Sequence, residues 1–439
     1  MSQPGSPTAV LRNVSSLESN VGVEPLQNAA GSCSAADKFV ITSNGHELVS
    51  LRKQKEKIIH GSFFMRDRSG QINLRQTKMI PAVSVIVPCR NERPTIESCV
   101  RSILEQEPPS GGFEVIVADG MSDDGTREVL EGLADKHPHL RVVDNPNCIV
   151  SSALNAAISL ATGSVIVRMD AHTDYAPDYI RRCYEVLAET GSDNVGGPWI
   201  AHGEGYVSRA IAAAFQSPFC TGGARGHDPK YEGIVDTVYL GCWPRDIFDR
   251  VGFFDEELVR NQDDEFNLRL TRAGGKIWQS PRIKSWYKPR NSVAALFRQY
   301  VQYGYWKVRV IQKHHAPASL RHLVPGSFVF LLVILAPLSF ASAMIRWAWL
   351  GLIGTYISAN LVASLVAAKS KDLTLFPMLT LVFGCFHLAY GYGFVRGIWD
   401  FVFLRREGRP RFSVLTRTSA DGGRRDGAVL PQRGQRNTL

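Results

Sequence analysis

Val83-Ser-Val-Ile-Val-Pro88 begins the regular part of the chain, and its reading decides the fold. A short apolar run that stops at a proline suits a strand buried on both faces of a parallel sheet. Ile96, Val100, Ile103 and Leu104 then recur at helical spacing. Glu114-Val-Ile-Val-Ala-Asp119 reads as a second strand, followed by a helix capped near Asp123 or Asp124. Leu140-Arg-Val-Val143 is a third strand, Ser151 to Ala161 a helix, and Ser164-Val-Ile-Val-Arg-Met-Asp170 a fourth strand. Strand and helix alternate, which predicts an α/β domain over 81–290 with a doubly wound, mainly parallel sheet.

Outward from this domain the chain changes character. Residues 1–36 are rich in Ser, Gly, Asn, Pro and Ala without apolar periodicity, so a disordered tail is expected there. Residues 37–80 are a mixed, basic extension with no assigned role, and no basic-then-apolar leader pattern opens the chain. Past Pro281, the apolar residues Val293, Leu296, Phe297, Tyr300 and Val301 share one helical face. That pattern predicts an interfacial amphipathic helix over 291–322, with a core-packed helix as the alternative. Three apolar segments follow, near Leu323–Ile345, Trp347–Ala368 and Leu373–Phe394. Each has the ~20 residues that crossing a bilayer needs, so 323–404 reads as a transmembrane region. The remainder, 405–439, is expected to be a disordered basic tail.

Charge follows the same division. The net charge is +9, and no Asp or Glu occurs between Phe266 and Lys371. Arg269, Arg272, Lys276, Arg282, Lys284, Lys288, Arg290, Arg298, Lys307, Arg309, Lys313 and Arg321 fall in that stretch. A basic block beside an apolar stretch suits membrane lipids or a phosphate-bearing substrate. No nucleic-acid motif is present, so no nucleic-acid partner is expected. The tail after Leu404 carries nine Arg against three acids. Both flanks are therefore basic and belong on the cytoplasmic side, whereas three spans would place them on opposite sides. Either one segment does not cross or the tail departs from the rule. Eight cysteines are scattered without metal spacing, as expected of reduced thiols in a cytosolic domain.

Four polar clusters sit where such a sheet binds ligands, beyond the carboxyl ends of its strands. Pro88-Cys-Arg-Asn-Glu92 follows the first strand and can meet a base and ribose. Asp119-Gly-Met-Ser-Asp-Asp-Gly125 follows the second, and its leading carboxylate can accept a ring N–H; helix capping is the plain alternative. Asp170-Ala-His172 ends the fourth strand, and its oxygen and imidazole ligands suit manganese or magnesium bridging a diphosphate. Asn261-Gln-Asp-Asp-Glu265 offers a carboxylate base, or simply an acidic helix N-terminus.

Taken in order, these clusters resemble family 2 of the glycosyltransferases over about Val83 to Gly275. The flavour is that of the succinoglycan-type exopolysaccharide glucosyltransferases, carried by Arg168-Met-Asp-Ala-His-Thr173, Asn261-Gln-Asp-Asp-Glu265, Tyr303-Gly304 and His387-Leu-Ala-Tyr-Gly391. The resemblance implies a GT-A type nucleotide-sugar-binding sheet followed by transmembrane helices. It implies donor-binding roles for Pro88, Arg90, Asn91, Glu92, Asp119 and Asp170. Asp170 and His172 stand where the family has its Asp-x-Asp metal motif, with His in the last place. Asp263, six residues before Arg269, stands where the family has its catalytic Asp, with Asp264 as the second candidate. The implied activity is inverting transfer of a hexose, glucose from UDP-glucose, to a lipid-linked glycan acceptor. The enzyme would be multi-pass in the inner membrane with its catalytic domain cytoplasmic. A processive synthase of cellulose or hyaluronan type is the alternative, though Arg298-Gln-Tyr-Val-Gln-Tyr303 is at best a degenerate Gln-x-x-Arg-Trp counterpart. A non-catalytic membrane scaffold or glycan-binding subunit is the reading from another class.

Overall fold

The computed structural model describes Pro81–Arg406, Gly408 and Phe412, with two short strands, Met65–Arg66 and Ile72–Asn73, that pair antiparallel. The tail expected over 1–36, most of 37–80 and nearly all of the basic tail lie outside the described residues. Four parallel strands make the heart of the sheet: β1 (Val83–Cys89), β2 (Phe113–Asp119), β3 (Leu140–Asp144) and β4 (Val165–Arg168). β1 lies between β2 and β4, and β3 flanks β2. The alternation of side chains along β1 explains the two-sided burial. Val83, Val85 and Val87 pack with Ile96 and Val100 on one face, while Ile86 packs with Ala153 and Leu154 on the other. The sheet continues past β4 through an antiparallel strand, Tyr239–Pro244, to reach eight strands. A three-stranded sheet of Thr173–Tyr175, Ser285–Tyr287 and Ile200–Ala201 stands apart from it.

Two sequence expectations shift by small amounts. The helix after β2 starts at Thr126 with left-handed Gly125 as its cap position. Asp124 still accepts the Thr126 N–H at 3.0 Å, while Asp123 turns back to Asn91. The first apolar segment forms a helix over Val324–Leu338 and stops near Pro337. Residues 339–342 break the chain before the next helix begins at Ala343, because an internal proline removes a helix hydrogen bond.

The helix Val293–His314 is built as the spacing predicts, and its contacts are those of the core-packed alternative. Val301, Tyr305, Trp306, Val308 and Val310 are buried against Ala389, Phe394 and Phe401. Val293 meets Cys385, Val301 meets Gly393, Tyr305 meets Gly397 and Gln312 meets Phe401. The third apolar helix, Phe376–Gly397, thus runs beside Val293–His314 in the same direction. Glycine is needed where the two backbones touch, since a Cβ on Gly304 or Gly393 would overlap the carbonyl of Tyr390 or Val301.

Candidate active site

The carboxyl ends of β1 and β4 open into one cavity of about 760 Å³. Pro88, Arg90, Glu92, Asp170, His172, Asp263 and Asp264 all line it. Asn91 and Asp119 are absent from that lining. Asn91 has φ of 51° and joins the loops after β1 and β2: its Nδ2 donates to Asp123 at 2.9 Å and its N–H to Ser122 Oγ at 2.9 Å. Asp119 is buried and accepts the Ser122 hydroxyl at 2.6 Å, with Arg127 3.6 Å away. Arg90 donates to the Gly120 carbonyl, which holds the same two loops together.

Asp170 is clasped by its own strand. Arg168 Nε donates to Oδ1 at 2.8 Å and Nη2 to Oδ2 at 3.0 Å, while Tyr175 holds the Asp170 backbone. The third arm of the fork, Nη1, reaches Asp263 Oδ1 at 2.5 Å. Arg168 is only 4% exposed, so its charge is used entirely within the site. The sequence reading gave Arg168 no role. Its signal was an arginine inside an otherwise apolar buried strand, where only a paired charge is tolerated.

Asp263 and Asp264 occupy the first turn of Gln262–Arg272, entered through left-handed Asn261 at φ of 64°. Neighbours in sequence, they face different surroundings. Burial in the cavity pushes Asp263 above the usual carboxylate range, helped by the charges of Asp170 and Asp264 and opposed by Arg168. Burial acts on Asp264 too, but the Lys307 ammonium, with His322 and Arg321, holds it below that range. Lys307 pairs directly with Asp264. Arg269 points elsewhere: it chelates Glu265 at 2.8 and 3.0 Å and donates to the carbonyls of Val251 and Phe253. His314 Nε2 also reaches Glu265, at 2.9 Å. Arg269 therefore anchors the acidic helix to its neighbours.

His172 Nδ1 lies 3.8 Å from Glu92 Oε1, and its ring stands edge-on to Tyr287 with centroids 6.1 Å apart. Among the described residues no group of three or more His, Cys, Asp or Glu side chains converges as a metal cage. Asp170 and His172 are nonetheless a carboxylate and an imidazole on one cavity wall. That donor set fits a cation whose remaining ligands come with a diphosphate.

The cavity does not end at the sheet. Val324, Phe328, Tyr356, Phe386, His387 and Tyr390, all from the apolar helices, line it as well. Among the described residues, three helical stretches, Leu320–Leu338, Ala343–Lys371 and Leu373–Phe403, are long and apolar enough to cross a membrane.

Residues 84–242 match the model of glycosyl transferase family 2. The succinoglycan biosynthesis protein ExoA of Rhizobium meliloti (strain 1021) is 30% identical over 321 residues, spanning 72% of this chain and 95% of that protein. The chain belongs to glycosyl transferase family 2. A second relative, 28% identical over 72% of this glycosyltransferase and 97% of its own length, is from Methanococcus voltae. It is named dolichyl N-acetyl-alpha-D-glucosaminyl phosphate 3-beta-D-2,3-diacetamido-2,3-dideoxy-beta-D-glucuronosyltransferase. Among solved structures, a mannosyltransferase from Pyrobaculum calidifontis in complex with GDP-Man and Mn2+ superposes with a TM-score of 0.48 at 21% identity. That match covers 74% of this glycosyltransferase and 88% of the other chain. The fold is of GT-A type, a mainly parallel sheet with three long apolar helices after it.

Proposed function

We propose that this glycosyltransferase moves a hexose, glucose from UDP-glucose, onto a lipid-linked glycan acceptor with inversion at the anomeric carbon. The observation that carries the reading is the continuity of one cavity from Asp170, past Asp263, to Phe328 and Tyr356 on the apolar helices. A donor site that opens onto membrane helices suits an acceptor whose tail stays in lipid. The name of the Rhizobium relative supports a role in exopolysaccharide synthesis, and that of the Methanococcus relative supports a lipid phosphate acceptor.

In this mechanism Asp263 takes the proton from the acceptor hydroxyl. The new bond to the anomeric carbon forms as its bond to the diphosphate breaks on the opposite face, so an alpha-linked donor gives a beta product. Burial raises Asp263 and so makes its carboxylate a better proton acceptor than an ordinary aspartate. Arg168 fixes Asp263 relative to Asp170, and hence the acceptor side relative to the donor side. Asp170 and His172 would hold a manganese or magnesium ion, which when bound supplies positive charge to the departing diphosphate. Pro88, Arg90 and Glu92 form the wall for the nucleotide; Asn91 and Asp119 shape the loops that carry it. The catalytic domain works on the cytoplasmic side of the inner membrane, where nucleotide sugars are made.

The test uses the full chain in lipid nanodiscs with a panel of UDP-sugars and a lipid-linked oligosaccharide, read by mass analysis. One added hexose from UDP-glucose is expected. No transfer from any UDP-sugar overturns the donor, and a ladder of products would favour a processive synthase instead.

A further inference from the structure

The membrane-facing half of the cavity holds polar atoms that the fold leaves unsatisfied. His322 Nδ1 and Tyr390 OH are buried, and neither has a hydrogen-bond partner among the described residues. Leaving such a group unpaired is costly, so each marks a place where something else supplies the partner. Both residues line the cavity together with Asp264, Lys307 and Arg321. Lys307 is 3% exposed and pairs with Asp264; Arg321 pairs with Asp236. An ammonium has three N–H groups and a guanidinium five, so each cation keeps donors beyond its carboxylate. Lys307 contacts the Asp264 carboxylate directly, and Asp264 adjoins Asp263 in the chain. Val324 and Phe328 follow Arg321 and His322 along the stretch Leu320–Leu338 and line the same cavity with apolar surface. Carboxylate, cations with unpaired donors, then apolar wall is the order in which a lipid-linked sugar presents its hydroxyl, its phosphate and its tail.

We propose that Lys307, Arg321, His322 and Tyr390 seat the diphosphate of a polyprenyl-type acceptor, a step that rests on the lipid-linked acceptor proposed above. His322 and Tyr390 donate to its oxygens, the two cations balance its charge, and the tail leaves along Val324 and Phe328. The test measures binding of a long-chain polyprenyl diphosphate to the full chain in phosphatidylcholine nanodiscs, with UDP binding followed on the same sample. Saturable binding is expected. His322→Ala and Tyr390→Phe should each weaken it about tenfold while UDP still binds, which also shows that the variants fold. Wild-type affinity in both variants overturns the seat. Equal binding of the unphosphorylated polyprenol, or equal competition by phosphatidylglycerol, overturns it too, the latter by making this a general headgroup site. Failure of the wild-type chain to bind UDP would instead strike the donor reading.

The third apolar helix, Phe376–Gly397, is held to the catalytic domain just before its start and at its middle, and to Val293–His314 beyond. Just before it, Arg209 pairs with Asp372 at 2.7 Å and Tyr206 OH donates to the Thr374 carbonyl at 2.9 Å. Midway, Phe219 packs on Phe383 and its carbonyl lies 3.0 Å from His387 Nε2. Its far half lies along Val293–His314, which Arg309 ties to Glu257 at 2.6 Å and Lys307 to Asp264. A crossing helix must carry its two ends to opposite faces of a ~30 Å layer. The exposed large side chains Leu381, Leu388 and Tyr392, with Trp399 just past the helix, form one stripe, while most of the other helix positions are buried or half-buried. We infer that this helix lies in the plane of one leaflet, that among the described residues the crossing stretches are Leu320–Leu338 and Ala343–Lys371, and that the C-terminus shares the side of the catalytic domain. Both basic flanks then obey the positive-inside rule. Epitopes inserted after Ala341 and fused after Leu439, probed by protease in sealed vesicles of known orientation, test this. The Leu439 epitope should be cut on the same side as the catalytic domain and the Ala341 epitope on the other. A Leu439 epitope protected together with that at Ala341 overturns it.

Discussion

Arg168 Nη1 stands 2.5 Å from an oxygen of Asp263, a residue 95 positions later, while the rest of its guanidinium grips both oxygens of Asp170. One buried cation therefore links the two carboxylates, Asp170 and Asp263. Arg168 favours the ionised form of Asp263, so its loss should raise Asp263 further. The fraction of ionised base at a given pH then falls, and the acid limb of the rate profile moves to higher pH. Arg168→Lys keeps the charge but not the three-armed fork. We expect that variant to lose at least ~10-fold in rate with a displaced acid limb. A pH–rate profile identical to that of the wild type would uncouple Arg168 from the base.

Asp263→Asn should lose about 100- to 10,000-fold in transfer while UDP binding persists, because a positioned base contributes that much. Titration calorimetry with UDP alongside the transfer assay separates the two effects. An active Asp263→Asn beside a dead, well-folded Asp264→Asn would show that Asp264 is the base.

The expected defect of Asp264→Asn is in stability. It leaves Lys307 nearly buried without its partner, at a cost of roughly 2 kcal/mol given that the Asp264 side chain is 31% exposed. Because Asp264 is held below the ordinary carboxylate value, its contribution is present above that value and is lost as pH falls through the lower folded one. Thermal unfolding of the two chains at neutral pH should differ, and the gap should close in acid. A gap that stays constant down to the lowest pH would exclude this pair as its source.

Transfer should require a divalent cation, and Asp170→Ala should abolish metal-dependent donor binding. Restoration by manganese or magnesium after treatment with a chelator is the expected result. Undiminished transfer in excess chelator, with Asp170→Ala behaving as wild type, would assign the leaving-group charge to Arg168 and its neighbours instead.

The four parallel strands, the polar loops at their ends and the acidic helix were legible in the sequence, because buried parallel strands are continuous apolar runs and their polar ends fall at fixed places; the antiparallel strand Tyr239–Pro244 and the three-stranded sheet were not. What the sequence hid were contacts between distant positions. Arg168 reads as a strand residue until Asp263 is folded against it, and Lys307 reads as part of a basic face until Asp264 takes it up. Asn91 reads as a ligand contact, and the fold adds a second role by joining it to Ser122 and Asp123 of the next loop, while Asp119 holds Ser122 of its own loop. Hydropathy also treats the three apolar helices alike, each with a mean hydropathy of 1.7. They differ in packing, with 11, 17 and 39% of their apolar windows buried, which no one-dimensional average can register.

The same packing sets the outcome of truncation. A chain ending after His322 keeps the helix Val293–His314 but loses Ala389, Phe394 and Phe401, which cover Val301, Tyr305 and Trp306. Burying one large apolar side chain is worth about 1.5–3 kcal/mol, so uncovering three approaches the whole ~5–15 kcal/mol margin of a folded domain. The truncated protein should therefore need detergent or lipid, and its attachment to vesicles should survive high salt. Charge-driven attachment through the basic residues alone would instead weaken as salt screens them. Flotation of the truncated chain with neutral vesicles at low and high salt reads the difference. A soluble monomer that binds UDP as tightly as the full chain would show that Val293–His314 is stable on the catalytic domain without the helix Phe376–Gly397.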